Sequence, residues 1–441
     1  GKGPVMPPGG SSAPASIASK TKGTKKYAGL FTFYQDTTDG KMYALIKKSQ
    51  LGKEFIYFSY TENGLVSTGH NKGSFRDNEI FSIRKSFNKI EFVKENTNFY
   101  FDPENNISKA AEANISKSIL VSEKVIAEDS TAFLIDATGI FIGEALGQIK
   151  PNPIPGRFSL GGLSRDKSKV ISIRSYPENN DVLVEYVYEN PSPSVYGGPD
   201  VTDARSVSIV LQHSFIQVPD NDFKPRMDDP RVGYFSTQVT DQTSVSATPF
   251  RDMIHRWHLK KKDPSAAISE PVEPIVWWIE NTTPKEFRAT IKAAGESWNK
   301  AFEKAGFKNA IVVKEQPDDA TWEAGDIRYN VLRWTSSPNP PFGGYGPSFV
   351  NPRTGQILGA DIMLEYVFIT NRIKQENLYG IRGEAMEPNL NFETEAHGCN
   401  LGSHLHNNTL FGTTALNVLG KADVDITKYI EESLYYLILH E

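Results

Sequence analysis

From Tyr27 to about residue 220, apolar and polar residues alternate in short runs broken by turn residues. A period of two is the repeat of a β-strand, whose successive side chains point to opposite faces, so this half of the chain must fold as sheet. "YAGLFTFYQDTTDGKMYALIKKS" reads as strand, Asp39-Gly40 turn and strand, a hairpin signal. "KEFIYFSYTENG" then places aromatics on alternate positions. "TAFLIDATGIFIGEAL", "KVISIRSYPENNDVLVEYVYEN" and "DARSVSIVLQHSFIQVP" extend the pattern. The expectation is a β-rich, sandwich-like region, with a small β domain over 27–93 and a β-rich accessory domain over 94–220.

The period breaks over 221–272. "FKPRMDDPRVGYFSTQ" and "RWHLKKKDPSAAISEPVEP" are rich in proline and charge, and predict a connector laid over a surface. From 273 onward the text changes again. "EPIVWWIEN" is a strand of bulky β-formers, and "TTPKEFRATIKAAGESWNKAFEKAGF" is a helix. Thr283 is its expected N-cap, with Pro284 at the first helical position and Glu286 completing a capping box. Phe287, Ile291, Ala294, Trp298 and Phe302 form an apolar stripe, and Gly306 supplies a left-handed stop. "NAIVVKEQ" and "DIRYNVLRW" are further strands, and "GYGPSFVNPRTGQILGADIMLE" is a hairpin turning at 351–355. Strand, long helix, several strands and a final helix describe an α/β layer with a mixed sheet. The fold class expected for the whole is α+β and multidomain.

Composition bounds the function. The 441 residues are too many for one ordinary core. A net charge of −5 provides no basic field to recruit nucleic acid. No run of 18 apolar residues is present, so no membrane-spanning segment is expected. Residues 1–26 are Gly, Pro, Ser and Lys with little to bury, and are expected to be a disordered leader without the apolar core of a signal peptide. Cys399 is the single cysteine, which excludes an internal disulfide.

The last stretch, "DVDITKYIEESLYYLILHE", predicts a helix capped by Asp425 or Thr427, with Ile430, Leu434, Leu437 and Ile438 on its buried face. It ends in His440-Glu441. In the pattern HExxH, two histidines one turn apart grip a zinc ion, and the glutamate beside the first takes a proton from the coordinated water. A chain with eight histidines meets a His-Glu pair by chance, so the weight lies on context. A solvated, charged helix end is the plain alternative.

That context resembles a known family. "DDPRVGYF", the stretch from "EPIVWWIEN" through "DIRYNVLRW", and "YGPSFVNPRTGQILGADIMLE" are similar to bacterial zinc-dependent metalloproteases of the met-zincin group. "KKYAGLFTFYQDTTDGKMYALI" is similar to the short N-terminal domain of that family. The resemblance spans most of 27–441 and is most specific over 226–365. It implies a zincin-like catalytic domain at 273–441, of which this chain carries the upper subdomain. In the family the final helix continues as HEVGHTLGLRHNF, so the resemblance gives His440 the role of first Zn²⁺ ligand and Glu441 that of general base. The remaining ligands and the Met-turn do not occur in these 441 residues, so the chain as written is expected to be inactive. The resemblance also implies an edge strand, matching Tyr345 to Val350, that pairs with an extended peptide or protein substrate, with Gly344, Gly346, Pro347 and Ser348 nearest to it; an ordinary hairpin whose glycines serve its turns is the alternative. Location would be secreted, periplasmic or cell-surface. Oligomeric state is left open, and the competing expectation is a non-catalytic binding or scaffold protein, or a pseudo-protease of the cell envelope.

Other candidates are weaker. His397, Cys399, His404 and His406 fall within ten residues and could suit a metal or a plain polar loop. His255 and His258 are three apart, as a metal pair or as packed histidines. Asp228 and Asp229 could reach a zinc and hold an enzyme latent, or simply serve the turn before Pro230. His70 reads as a turn residue. No acidic pair is placed to support glycoside hydrolysis.

Overall fold

A computed structural model describes residues 16–111, 113–338, 344–366 and 426–441, together with single positions between 405 and 419. The chain is a β-rich α+β protein. Eleven strands form one antiparallel sheet: β1 (Thr24–Tyr27), β2 (Thr32–Asp36), β3 (Met42–Lys47), β4 (Glu54–Asn63), β5 (Phe75–Ser86), β6 (Lys89–Lys94), β8 (Ser118–Glu128), β9 (Ala132–Asp136), β10 (Gly162–Ser175), β11 (Asn179–Glu189) and β12 (Ser206–Gln217). The short β7 (Phe99–Tyr100) lies outside it.

The strand order is β1-β2-β3-β9-β8-β6-β5-β4-β12-β11-β10. Strands from 27–93 and from 94–220 therefore interleave, with β3 on β9 and β4 on β12, where separate units had been expected. Alternation marks a strand but says nothing of its partner, which is why the interleaving was illegible. The sheet curls until its ends nearly meet. Leu30 N–H donates to the Tyr176 carbonyl at 2.9 Å, and the Asn180 side chain bonds both the N–H and the carbonyl of Phe31. A Cβ on Gly29 would lie 2.7 Å from the Tyr176 oxygen, so this approach requires glycine. The expected sandwich is thus a nearly closed, barrel-like sheet. Residues 16–26, expected within a disordered leader, form the helix α1 (Ile17–Lys20) and β1. Strand β1 needs no apolar run, because its backbone pairs with β2 and Tyr27 packs against the core.

Side chains fill the interior. Phe31 lies 4.9 Å from Phe55, Phe55 lies 5.6 Å from Phe81, and Phe141 from the short helix α2 (Thr138–Phe141) meets Phe215 edge-on. Strand β4 is buried on both faces. Phe55 and Tyr57 point into the interior, while Ile56, Phe58 and Tyr60 point outward and are equally covered.

What covers them is the α/β unit. Its sheet contains β16 (Ile275–Ile279), β17 (Ile311–Glu315), β18 (Asn330–Thr335), β19 (Gly344–Tyr345), β20 (Ser348–Val350) and β21 (Ile357–Glu365). β17, β16, β18 and β21 run parallel, and β19 and β20 pair antiparallel with the outer side of β21. One face carries the helices α3 (Lys285–Ser297) and α5 (Ile426–His440), and the short α4 (Asn299–Lys304) follows α3 in the chain. Phe287, Ile291 and Ala294 of α3 pack with Leu434, Leu437 and Ile438 of α5 over Ile279, Val313 and Leu332. The other face meets the barrel-like sheet, where Phe349 stacks on Phe58 at 4.5 Å. Burying one Phe contributes about 1.5–3 kcal/mol, and an offset ring pair adds about 0.5–1.5 kcal/mol.

Two local expectations change. The helix begins after Pro284, and Thr283 makes no capping bond; its hydroxyl is buried without a partner while its N–H closes a turn on Glu280. The expected single long helix breaks at Trp298, which is 44% exposed and donates its Nε1 hydrogen to the Leu439 carbonyl. Gly306 does take positive φ, at 90°. The connector straps both units through short pairings. β13 (Ser236–Thr237) pairs with β15 (Met253–Ile254), β14 (Thr240–Asp241) with β7, and Arg256 bridges to Gln356. Among the described residues no helix is long and apolar enough to cross a membrane.

Candidate functional site

The site lies where α5 ends beside β19. Helical bonding runs through the final residue, since Glu441 N–H donates to the Leu437 carbonyl at 3.0 Å. Leu434, Leu437 and Ile438 hold the helix on the sheet, and the Trp298 indole N–H donates to the Leu439 carbonyl at 2.9 Å. His440 is exposed on that last turn and Glu441 is half-buried.

The Glu441 carboxylate rests against bare backbone. A Cβ placed on Gly344 would lie 2.7 Å from Glu441 Oε1 and 3.1 Å from its Cγ; one on Gly346 would lie 3.3 Å from Oε2. A side chain at 344 would therefore displace the carboxylate. Burial pushes the Glu441 carboxyl up to about 7, so its proton exchanges near neutrality.

β19 and β20 form the outer edge of the sheet, and among the described residues no strand pairs with their far side. Of the four residues expected near substrate, Gly344 and Gly346 face Glu441. Pro347 and Ser348 lie farther along and pair inward, the Pro347 carbonyl accepting from Asp361 N–H and Ser348 facing Ala360.

An imidazole and a carboxylate on successive residues, beside a cradle that a Cβ would fill, fit the first part of a zinc site. They supply one ligand, and among the described residues no group of three or more potential ligands gathers. His397, Cys399, His404 and His406 lie outside the described residues. His255 and His258 serve different partners: His255 meets the Thr237 hydroxyl at 3.0 Å, while His258 meets Asp222 at 3.3 Å against the Phe223 ring. Asp229 pairs with Arg231 at 2.6 Å and its carbonyl accepts from Val232 N–H, which is a turn role. His70 is fully buried between the Thr68 hydroxyl and the Ile149 carbonyl, and burial lowers its pKa to about 3.

Two buried polar groupings had no forecast. His213 sits inside the barrel between Tyr57 and Tyr186, at 2.8 and 2.7 Å. Tyr186 donates to the Phe141 carbonyl, so its oxygen accepts from His213 Nε2–H and Nδ1 accepts from Tyr57; burial keeps this ring neutral with a pKa of about 3. The second lies between the two units. Arg333 meets Glu62 at 3.4 Å and Asp361 at 3.9 Å, and a chain of bonds runs from Glu62 through Tyr60, Gln212 and Ser214 to Asp181. The signal for both was the polar triplet Gln212-His213-Ser214 inside the apolar run of β12.

Residues 73–262, less than half of the chain, match the family described as a domain of unknown function, DUF5117. The match begins at the entry to β5 and ends in the connector. No curated protein matches the chain, and no solved structure does.

Proposed function

We propose that this chain carries the substrate-binding sheet and the start of the active-site helix of a zinc-dependent endopeptidase of the met-zincin kind, exported to the periplasm, the cell surface or the medium. The observation that supports it is the Glu441 carboxylate lying against the backbone of Gly344 and Gly346 on the outer strand. The outer side of β19, with which no strand pairs among the described residues, is suited to take an extended peptide through main-chain hydrogen bonds. Glycine at 344 and 346 lets a carboxylate reach the space beside such a peptide, which any larger residue would fill. His440 would hold zinc together with ligands from outside these residues. When bound, the ion polarises a water and the peptide carbonyl. Glu441 then serves as the group that receives and returns a proton.

A second reading uses the same edge strand: a scaffold that captures peptides along it without hydrolysing them. One experiment separates the two. The protein is taken from its native source, its C-terminal peptide is sequenced, and its zinc content and casein cleavage are measured. Zinc near one equivalent, with Glu441→Gln abolishing cleavage and leaving zinc in place and His440→Ala losing both, supports the peptidase. A mass near 49.1 kDa ending at Glu441, without zinc or cleavage, leaves the scaffold.

A further inference from the structure

We propose that the barrel-like unit is the support that sets the position of the outer strand 344–350, which gives the matched domain of unknown function a role as a positioning element for peptide capture. The part concerning peptide rests on the function proposed above; the anchoring does not.

The strand is held from two sides. Gly344 and Gly346 face Glu441. Residues of the opposite face, and the strand that follows, are fastened to the barrel. Tyr345 is bonded to the backbone of Phe75, and Phe349 lies on both Phe58 and Phe75, at 4.5 and 5.5 Å. Asn78 donates its side-chain amide to the Val350 carbonyl at 2.9 Å. That bond falls where the pairing of β20 with β21 slips register between Phe349 and Val350, so the barrel bonds a carbonyl at the irregular point of the ladder. A Cβ on Gly73 would lie 2.3 Å from Met363, the residue paired with Tyr345, so the barrel also closes against the neighbour of the edge strand.

Gly73, Phe75 and Asn78 are three residues at the very start of the matched segment, and all three touch this strand or its pairing partner. β19 and β20 are two and three residues long and, among the described residues, pair with a strand on one side only, too little to hold a rigid edge by themselves. An edge already fixed in place spares an incoming peptide the entropy of ordering it.

Hydrogen exchange of the full chain, read by mass spectrometry, tests this. In Asn78→Ala, peptides covering 344–350 should exchange about tenfold faster, the effect of one lost buried hydrogen bond, while β11 and β12 are unchanged. Unchanged exchange at 344–350 in the folded variant overturns the proposal. Tyr345→Phe, which removes a single hydroxyl, carries the same expectation and decides the matter if Asn78→Ala does not fold. In a cleaving form of the protein, Asn78→Ala should raise KM with kcat unchanged; a fall in kcat at constant KM would refute the role in capture. Absence of all cleavage would sink the peptidase proposal and leave the exchange result standing.

Discussion

Asp181 offers a measurable stability profile. Its side chain is fully buried, accepting from Ser214 at 2.7 Å and from Asn179 at 3.1 Å, and burial pushes its carboxyl up to about 8 against the Ser214 bond. The unfolded chain releases that proton near pH ~3.9. Between those values the folded protein binds a proton that the unfolded chain does not, so unfolding releases it and stability falls as pH rises. Below the window the group costs nothing, and above it the loss is complete. From about pH 5 to about pH 8 the change amounts to roughly 3–4 kcal/mol. Asp181→Asn keeps the shape and abolishes the titration. Asn179 Oδ1 is buried without a partner, and a flip of its amide would let it accept from the new Asn side chain. The variant should therefore gain on the wild type by roughly 3–4 kcal/mol over that pH range, while His70, His213 and Asp361 titrate alike in both and cancel. Urea midpoints at about pH 5 and about pH 8, multiplied by a common slope, give the difference. Parallel pH profiles for the two proteins would refute the buried protonated carboxyl.

Three further outcomes are expected. Gly344→Ala should displace a flexible carboxylate at a stability cost below about 1 kcal/mol, yet abolish cleavage in any active form; retained cleavage would place the base elsewhere. Arg333→Met leaves Glu62 and Asp361 buried without their cation, and should lower stability by about 3–5 kcal/mol in urea titrations. His213→Ala removes the ring between Tyr57 and Tyr186 and should cost about 3–5 kcal/mol, read from thermal and urea unfolding together.

What the sequence exposed was local. The Asp39-Gly40 hairpin, the strand "IVWWI", the first three members of the stripe (Phe287, Ile291 and Ala294, but not Trp298 or Phe302), the Gly306 stop and the turn at 351–355 all depend on near neighbours in sequence, and each is present. Thr283 misled because a capping signal cannot show that its hydroxyl will be buried by tertiary packing. The pairings β3–β9 and β4–β12 join segments far apart, and alternation carries no address for a partner. His440, Glu441 and the glycines of β19 were named on resemblance. The contact of Glu441 with Gly344, across 97 positions of sequence, exists only in the fold. His213 and Asp181 escaped because a polar residue in a strand is ordinarily taken to face water.

The doubly buried strand β4 also dictates an order of events during synthesis. Its inward face waits for β12, and its outward face waits for Phe349, almost 300 positions later. At ribosomal speed that delay is on the order of tens of seconds, during which β5 and β12 can pair with β4 while Ile56, Phe58 and Tyr60 on its outward face stay uncovered. An uncovered apolar face of this kind is a target for self-association, a hazard that ends only when β20 has emerged and Phe349 packs on Phe58.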